Sequence, residues 1–245
     1  EQYGDRPLLF GNTFVSDVAR DNNGAPMFKE GSAIWRRNIK TDKNEKDKYI
    51  IIDHKRDYIY TPELDMFFPR MYSSSPQHIE AYKEWTNFKG KPVKVKNYQG
   101  ETHTVYKPTF GENLKFFLDY QLNFMYWRYF MWNFAGRQND IHSPSPGEIL
   151  TGNWESGIDF IDHWRLGDQS DAPAYLKENK GKNHYYMLPL LLGILGIFFQ
   201  FARDKRGSWL TFLMFFMTGI AVVIYLNQPP YQVRERDYAY AGSFY

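Results

Sequence analysis

Directly after an uncharged apolar run that ends at Leu226, the chain reads Gln228-Pro229-Pro230-Tyr231-Gln232-Val233-Arg234-Glu235-Arg236-Asp237-Tyr238. Pro229 and Pro230 lack the amide hydrogen that a helix interior needs, so they stop a preceding helix at this point. The four alternating charges that follow are the residues best suited to chemistry. A guanidinium matches phosphate oxygens bidentately, so Arg234 and Arg236 suit the phosphate of a lipid-linked donor. Glu235 or Asp237 suits the role of general base towards an acceptor hydroxyl. The same pattern also reads as a juxtamembrane charge cluster satisfied by its own ion pairs. A second group surrounds Arg128, within Tyr126-Trp127-Arg128-Tyr129. A cation among aromatic rings reads first as a structural cation–π and salt-bridge anchor, with Asp119 as a partner, and second as a phosphate or sugar contact.

Other chemistries are poorly represented. The six histidines, His54, His78, His103, His142, His163 and His184, show no metal-ligand spacing. Asp159, Asp162 and His163 are close enough to meet on one helical turn, a weak signal for a metal or an acid–base pair. There is no cysteine, hence no disulfide or thiolate site. No glycine-rich phosphate loop or nucleophile elbow occurs, and Gly193 and Gly196 read as close-packing positions within an apolar run. With 30 basic and 28 acidic residues in 245, the charge balance excludes nucleic-acid binding that depends on a broad basic field. No metal and no cofactor is expected.

Positioning these charges requires the elements before them. Two apolar runs, Tyr185–Ala202 and Trp209–Leu226, flank the basic loop Arg203-Asp204-Lys205-Arg206-Gly207-Ser208. Each approaches the roughly 17–25 residues that cross a bilayer core, in a chain whose mean hydropathy is only −0.59. Tyr185, Tyr186, Trp209 and Tyr225 sit at their ends as an aromatic belt would. The fold class expected is therefore an α-helical membrane protein fragment, a transmembrane helical hairpin carrying a mixed α+β extramembrane domain and an aromatic interfacial helix. The lipid bilayer is the first partner expected. The charges themselves leave the orientation open, because basic residues lie both in the loop and on the flanks.

The predicted organisation is an α+β domain over residues 1–110, an aromatic helix and loop-rich segment over 111–184, the two apolar helices over 185–226, and a juxtamembrane segment over 227–245. Within the first domain, Lys48–Ile52 and Tyr58–Tyr60 read as strands joined by a charged turn at Asp53–Asp57. Pro76–Phe88 reads as a helix, and Val93, Val95 alternating against Thr102, Thr104, Tyr106 reads as a hairpin. Glu112–Ala135 is so rich in Trp, Tyr and Phe, with polar residues scattered around it, that an interfacial or membrane-packed helix fits better than a spanning one. Trp154, Ile158, Phe160, Ile161 and Trp164 suggest a short helix or membrane-touching loop. Starting at Glu1 and ending in the apolar Ala241–Tyr245, the chain reads as part of a larger polytopic protein.

The runs Glu1–Leu9, Met125–Asp140, Gly152-Asn153-Trp154, Tyr225–Gln228 and Arg234–Tyr238 together resemble the central region of a large bacterial membrane-protein family. That family is long filed as a domain of unknown function and now grouped with protein O-mannosyltransferases. The resemblance implies a polytopic glycosyltransferase of the GT-C type, moving a mannose-like sugar from a polyprenyl-phosphate donor to Ser or Thr hydroxyls of exported proteins. It also implies an inner-membrane location, with residues 1–184 and 227–245 periplasmic. The family's catalytic acid is expected in an early loop outside this stretch, so no catalytic residue is carried over. Arg234, Arg236 and Arg128 remain donor-phosphate contacts by hypothesis. The competing reading is a non-catalytic membrane scaffold or assembly component.

Overall fold

The computed structural model describes residues 10–12, 18–40, 46–73, 75–96, 99–141, 145–231 and 237–244. Two compact units emerge, one of residues 1–75 and 89–110 and the other of 76–88 and 111–245.

The first unit is built from antiparallel two-stranded ribbons. Strand β1 (Phe10–Asn12) pairs with β4 (Asp65–Phe67), β2 (Phe28–Arg37) with β3 (Tyr49–Tyr58), and β5 (Lys91–Lys96) with β6 (Thr102–Lys107). The hairpin predicted there is present, but its register places Val93 opposite Val105 and Val95 opposite His103, while Thr102, Thr104 and Tyr106 lie opposite Lys96, Lys94 and Pro92. The charged stretch Asp53–Asp57 is not a turn. It continues β3 without a break, opposite Lys29, Glu30, Ala33 and Ile34. Charges at both faces of a wet ribbon need no reversal of the chain, so the alternation alone misleads there. A small core of Leu64, Met66, Met71 and Val95 closes the unit. The Lys107 ammonium ties it together by donating to the Glu63 and Asp65 carbonyls at 2.7 Å each.

The second unit is helical. Helix α1 (Pro76–Thr86) buries Ala81, Tyr82 and Trp85. Its rings meet those of a long helical stretch composed of α2 (Phe110–Phe116), a π-helical segment (Phe117–Trp127) and α3 (Arg128–Phe134). Tyr82 lies edge-on to Phe116 at 4.9 Å and Trp85 lies against Tyr120 at 5.2 Å. The π winding explains why the polar residues of Glu112–Ala135 line no face at the α-helical period. Bonds such as Arg128 N–H to the Asn123 carbonyl span five residues, and the wider turn brings 116/117, 120/121 and 125/126 inward in succession. After Arg128 the inward positions Met131, Trp132 and Ala135 return to ordinary helical spacing. The expectation of an interfacial helix is thereby corrected, for this stretch supplies much of the second unit's core.

Downstream come β7 (Gly136–Arg137), α4 (Asp159–Leu166), α5 (Ala174–Lys177), β8 (Asn183–His184), α6 (Leu188–Arg203), α7 (Lys205–Thr218) and α8 (Ile220–Leu226). The fold class expected from the sequence does not hold. The chain is mixed α and β, 44% helical and 21% strand, rather than a helical membrane hairpin fragment. Among the described residues one helical stretch, Lys205–Leu226, is long and apolar enough to cross a membrane by length and composition, and Leu188–Arg203 is not. The reason lies at the ends of the first apolar run. Tyr186 and Met187 take left-handed backbone angles, and the amides of Tyr185 and Tyr186 bond back to the Ala135 and Ser156 carbonyls. Those residues are thus withdrawn from the helix, leaving 16, or about 24 Å of rise against a core of roughly 30 Å. At the other end the expected basic loop shrinks to Asp204. Its carboxylate accepts from the Arg206 and Gly207 amides and caps α7 four residues before the expected start at Trp209.

Candidate functional site

The segment richest in candidate chemistry is held at its start by buried Gln121 and beyond its charges by buried Gln228. Helix α8 ends at Asn227, whose left-handed backbone turns the chain. Gln121, on the π-helical segment, donates through Nε2 to the Asn227 side-chain oxygen (3.1 Å) and to the Gln228 carbonyl (2.8 Å). Past the charged segment, the Tyr240 hydroxyl returns to Gln228 Oε1 at 3.3 Å. The Tyr126 hydroxyl donates to Ser243 at 3.3 Å, while its ring meets Tyr240 edge-on at 5.6 Å. Gln121, Asn227, Gln228 and Tyr240 are all buried. Arg234, Glu235 and Arg236 lie outside the described residues, and so does the side chain of Asp237, whose backbone opens a short 3-10 helix.

Where the described chain enters that segment it forms a groove of about 400 Å³ lined by Gln77, Glu80, Glu84 and Tyr231. The two glutamates are one turn apart on α1, so both carboxylates reach the same side. Burial raises the Tyr231 phenol's pKa above its usual value, with Glu84 and then Glu80 adding to the rise. An acidic groove with a neutral phenol and an amide suits hydroxyl groups better than a phosphate, which the carboxylates repel. Sequence reasoning passed over Glu80 and Glu84, and gave Tyr231 no role within its segment. The i, i+4 spacing of the glutamates on a well-predicted helix is the signal that was available.

Arg128 has a different character. It is 5% exposed, donates through Nε to the Phe124 carbonyl (2.9 Å) and through a terminal nitrogen to the Gly152 carbonyl (3.1 Å). Its guanidinium lies 4.0 Å from the Phe124 ring centre and 4.7 Å from that of Trp132. These contacts fasten the 136–186 segment to the helix, the structural role of an aromatic-clad arginine.

That segment is a polar layer held mostly by its own side chains. Buried Asn139 accepts from the Gly152 amide (2.8 Å) and donates to the Leu150 carbonyl (2.9 Å). Gln138 donates to the Ile149 carbonyl (2.8 Å), and Asn153 donates to Gln138 Oε1 (3.2 Å). Asp162 accepts from the Ser156 amide and hydroxyl (2.9 and 3.0 Å) and the Gly157 amide (2.7 Å). With both oxygens so engaged, Asp162 forms no acid–base pair with exposed His163. Glu155 faces Lys182 at 3.1 Å and His184 at 3.3 Å, the latter a close approach without hydrogen-bond alignment. Burial lowers the Arg165 pKa to about 10, against the opposing pull of Asp162 and Glu155. Gly136 is obligatory here. At φ +136° its missing Cβ would lie 2.5 Å from both the Asn183 and Glu155 carbonyl oxygens.

Helices α6 and α7 bury no residue at all. Leu192, Leu195, Phe198, Trp209, Leu210 and Met214 are among the large apolar side chains left uncovered. Gly193 and Gly196 meet no neighbour among the described residues, so they are not the close-packing positions expected.

Residues 4–118 match the model of a family described as a family of unknown function, DUF8416. No curated protein and no solved structure matches the chain. The match covers just under half of the chain and carries no activity, so it leaves the glycosyltransferase resemblance as an expectation.

Proposed function

We propose that this chain is the membrane-attached part of an enzyme that moves a sugar from a polyprenyl-phosphate donor to Ser or Thr hydroxyls of exported proteins. The observation that carries the membrane part of the reading is the uncovered apolar surface of α6 and α7. Contiguous apolar patches of this kind mark interaction or membrane surfaces, and Lys205–Leu226 has the length of a span. The transfer part draws on the resemblance and on the position of residues 227–238. They follow that stretch immediately, with a helix stop at Asn227. In this reading Arg234 and Arg236 hold the donor phosphate, and Glu235, Asp237 or the groove carboxylates Glu80 and Glu84 face the hydroxyl-bearing partner. The segment lies at the periplasmic face of the inner membrane. Arg128 leaves the set of donor-phosphate contacts, because it is buried against Phe124 and Trp132 and turns Nε and one terminal nitrogen to backbone carbonyls.

The test is Arg234→Ala/Arg236→Ala in the full-length protein. Glycoprotein staining of exported proteins is expected to lose its signal while the variant still floats with the membrane fraction. Unchanged staining would remove the donor-phosphate role. A second reading, a non-catalytic membrane scaffold, is favoured by the polar layer, where Asn139, Gln138, Asn153 and Asp162 are all engaged in holding loops. If deletion of the whole protein leaves glycosylation untouched, that reading prevails.

A further inference from the structure

Helix α4 carries two aromatic side chains that its own unit does not use. Phe160 is 83% exposed and Trp164 82% exposed, and their i, i+4 spacing places them together on the outer side of the helix. The inner side is firmly fixed. Leu166 is buried, Asp162 holds the Ser156–Gly157 turn, and Arg165 donates to the Trp154 carbonyl while its guanidinium lies 3.6 Å from the Trp154 ring centre. The aromatic pair is therefore presented on a held platform.

The surroundings indicate what covers it. The turn that starts α4 rests on the turn that starts α6, with the Tyr186 amide donating to the Ser156 carbonyl at 3.0 Å. A Cβ on Gly157 would come within 3.0 Å of the Tyr186 ring. Phe160 follows Gly157 by less than one helical turn, and Leu188 follows Tyr186 by two residues. The outward aromatics thus start from the same pair of turns as the uncovered apolar surface of α6, beside the exposed Tyr185 and Tyr186. Tyr and Trp at the start of a lipid-facing helix occupy the headgroup level.

We infer that α4 is an interfacial anchor. Phe160 and Trp164 insert side by side into the headgroup–acyl boundary next to the first turn of α6, and so hold the 136–186 polar layer against the bilayer surface. The inference rests on the membrane reading of Leu188–Leu226 and commits to lipid as the occupant.

The chain has no cysteine, so single introduced cysteines report without background. Nitroxide labels at Phe160→Cys, Leu213→Cys and Glu178→Cys are compared in the full chain reconstituted into phosphatidylethanolamine vesicles with a minority of phosphatidylglycerol. Trp164→Cys serves as a second reporter that keeps Phe160. Relative to Glu178, the ratio of oxygen to nickel-complex accessibility is expected to rise several-fold at 160 and 164 and further at 213. A lipid-like ratio at 213 with a water-like ratio at 160 and 164 overturns the anchor and spares the membrane reading. Water-like ratios at all positions overturn both. Labels at 160 and 164 shielded from both reagents mean that a protein surface covers the pair, which also overturns the anchor.

Discussion

The two units both leave large apolar side chains uncovered, but on backbones of opposite kind. In the first unit Trp35, Tyr49, Ile50, Ile51 and Ile52 stand exposed on the β2–β3 ribbon, whose two outer edges pair with no further strand among the described residues. In the second, most of the exposed residues sit on α6 and α7, where the backbone groups bond within the helix. Lipid accepts the latter and rejects the former, since unpaired N–H and C=O groups cost several kcal/mol each in hydrocarbon. The ribbon's apolar rows therefore call for another strand or a protein surface, whereas the helices' are compatible with a bilayer, the destination that the proposed function gives them. Equal exposure does not mean equal destination; the backbone decides.

The largest effect expected is the one that separates these destinations. Leu213→Asp places a carboxylate in the middle of the Lys205–Leu226 stretch and should cost about 3 kcal/mol of insertion. That is roughly a hundredfold fall in the membrane-retained to released ratio, read by carbonate extraction of the full-length protein. The matched change Ile51→Asp on the ribbon should leave retention unaltered and reduce self-association in light scattering. Equal loss from both substitutions would break the distinction between the two surfaces.

A middle-sized effect comes from how each unit uses its cations. Arg128→Met removes buried charged hydrogen bonds to two carbonyls and leaves the Gly152 carbonyl short of a donor, a loss of about 2–3 kcal/mol. Lys96→Met removes one exposed bond to Asn22 (2.7 Å) and should change stability by no more than about 0.5 kcal/mol. Denaturant midpoints of the two variants in detergent measure the difference. A similar, small shift for both would mean that the 136–186 layer does not depend on its arginine anchor.

Legibility in the sequence followed the same divide between regular and irregular backbone. The β5–β6 hairpin and α1 were readable, because alternation at Val93/Val95 and helical spacing at Tyr82 and Trp85 report burial directly. The partner of β3 was not, since Lys29-Glu30-Gly31-Ser32 carries no apolar alternation and two register shifts interrupt the pairing. The π winding at 117–127 defeated an α-period reading, which expects about 3.6 residues per turn. The apolar runs themselves were plain, but their helix lengths were set by Met187 and Asp204, whose conformations depend on carbonyls at Ala135 and Ser156 and on a capping carboxylate. The groove of Gln77, Glu80, Glu84 and Tyr231 joins residues some 150 positions apart, a distance no local pattern spans.

The smallest expected effect is a pH dependence confined to the second unit. Partial burial lowers the pKa of His78, on α1, below its usual 6.5. Well above pH 6.5 the imidazole is neutral in folded and unfolded chains alike, and it contributes no slope. As the pH falls through about 6.5 the unfolded chain takes up the proton before the folded one, so stability falls from there down to the folded pKa and levels off below it. His78→Gln, which cannot titrate, should flatten this part of the profile. Thermal midpoints measured at about pH 5 and about pH 8 should therefore lie closer together in the variant than in the parent, by less than either preceding pair of substitutions produces. A profile unchanged by the substitution would show that α1 is not held against the aromatic helix closely enough to keep its imidazole from water, and the groove built on α1 would lose its fixed wall.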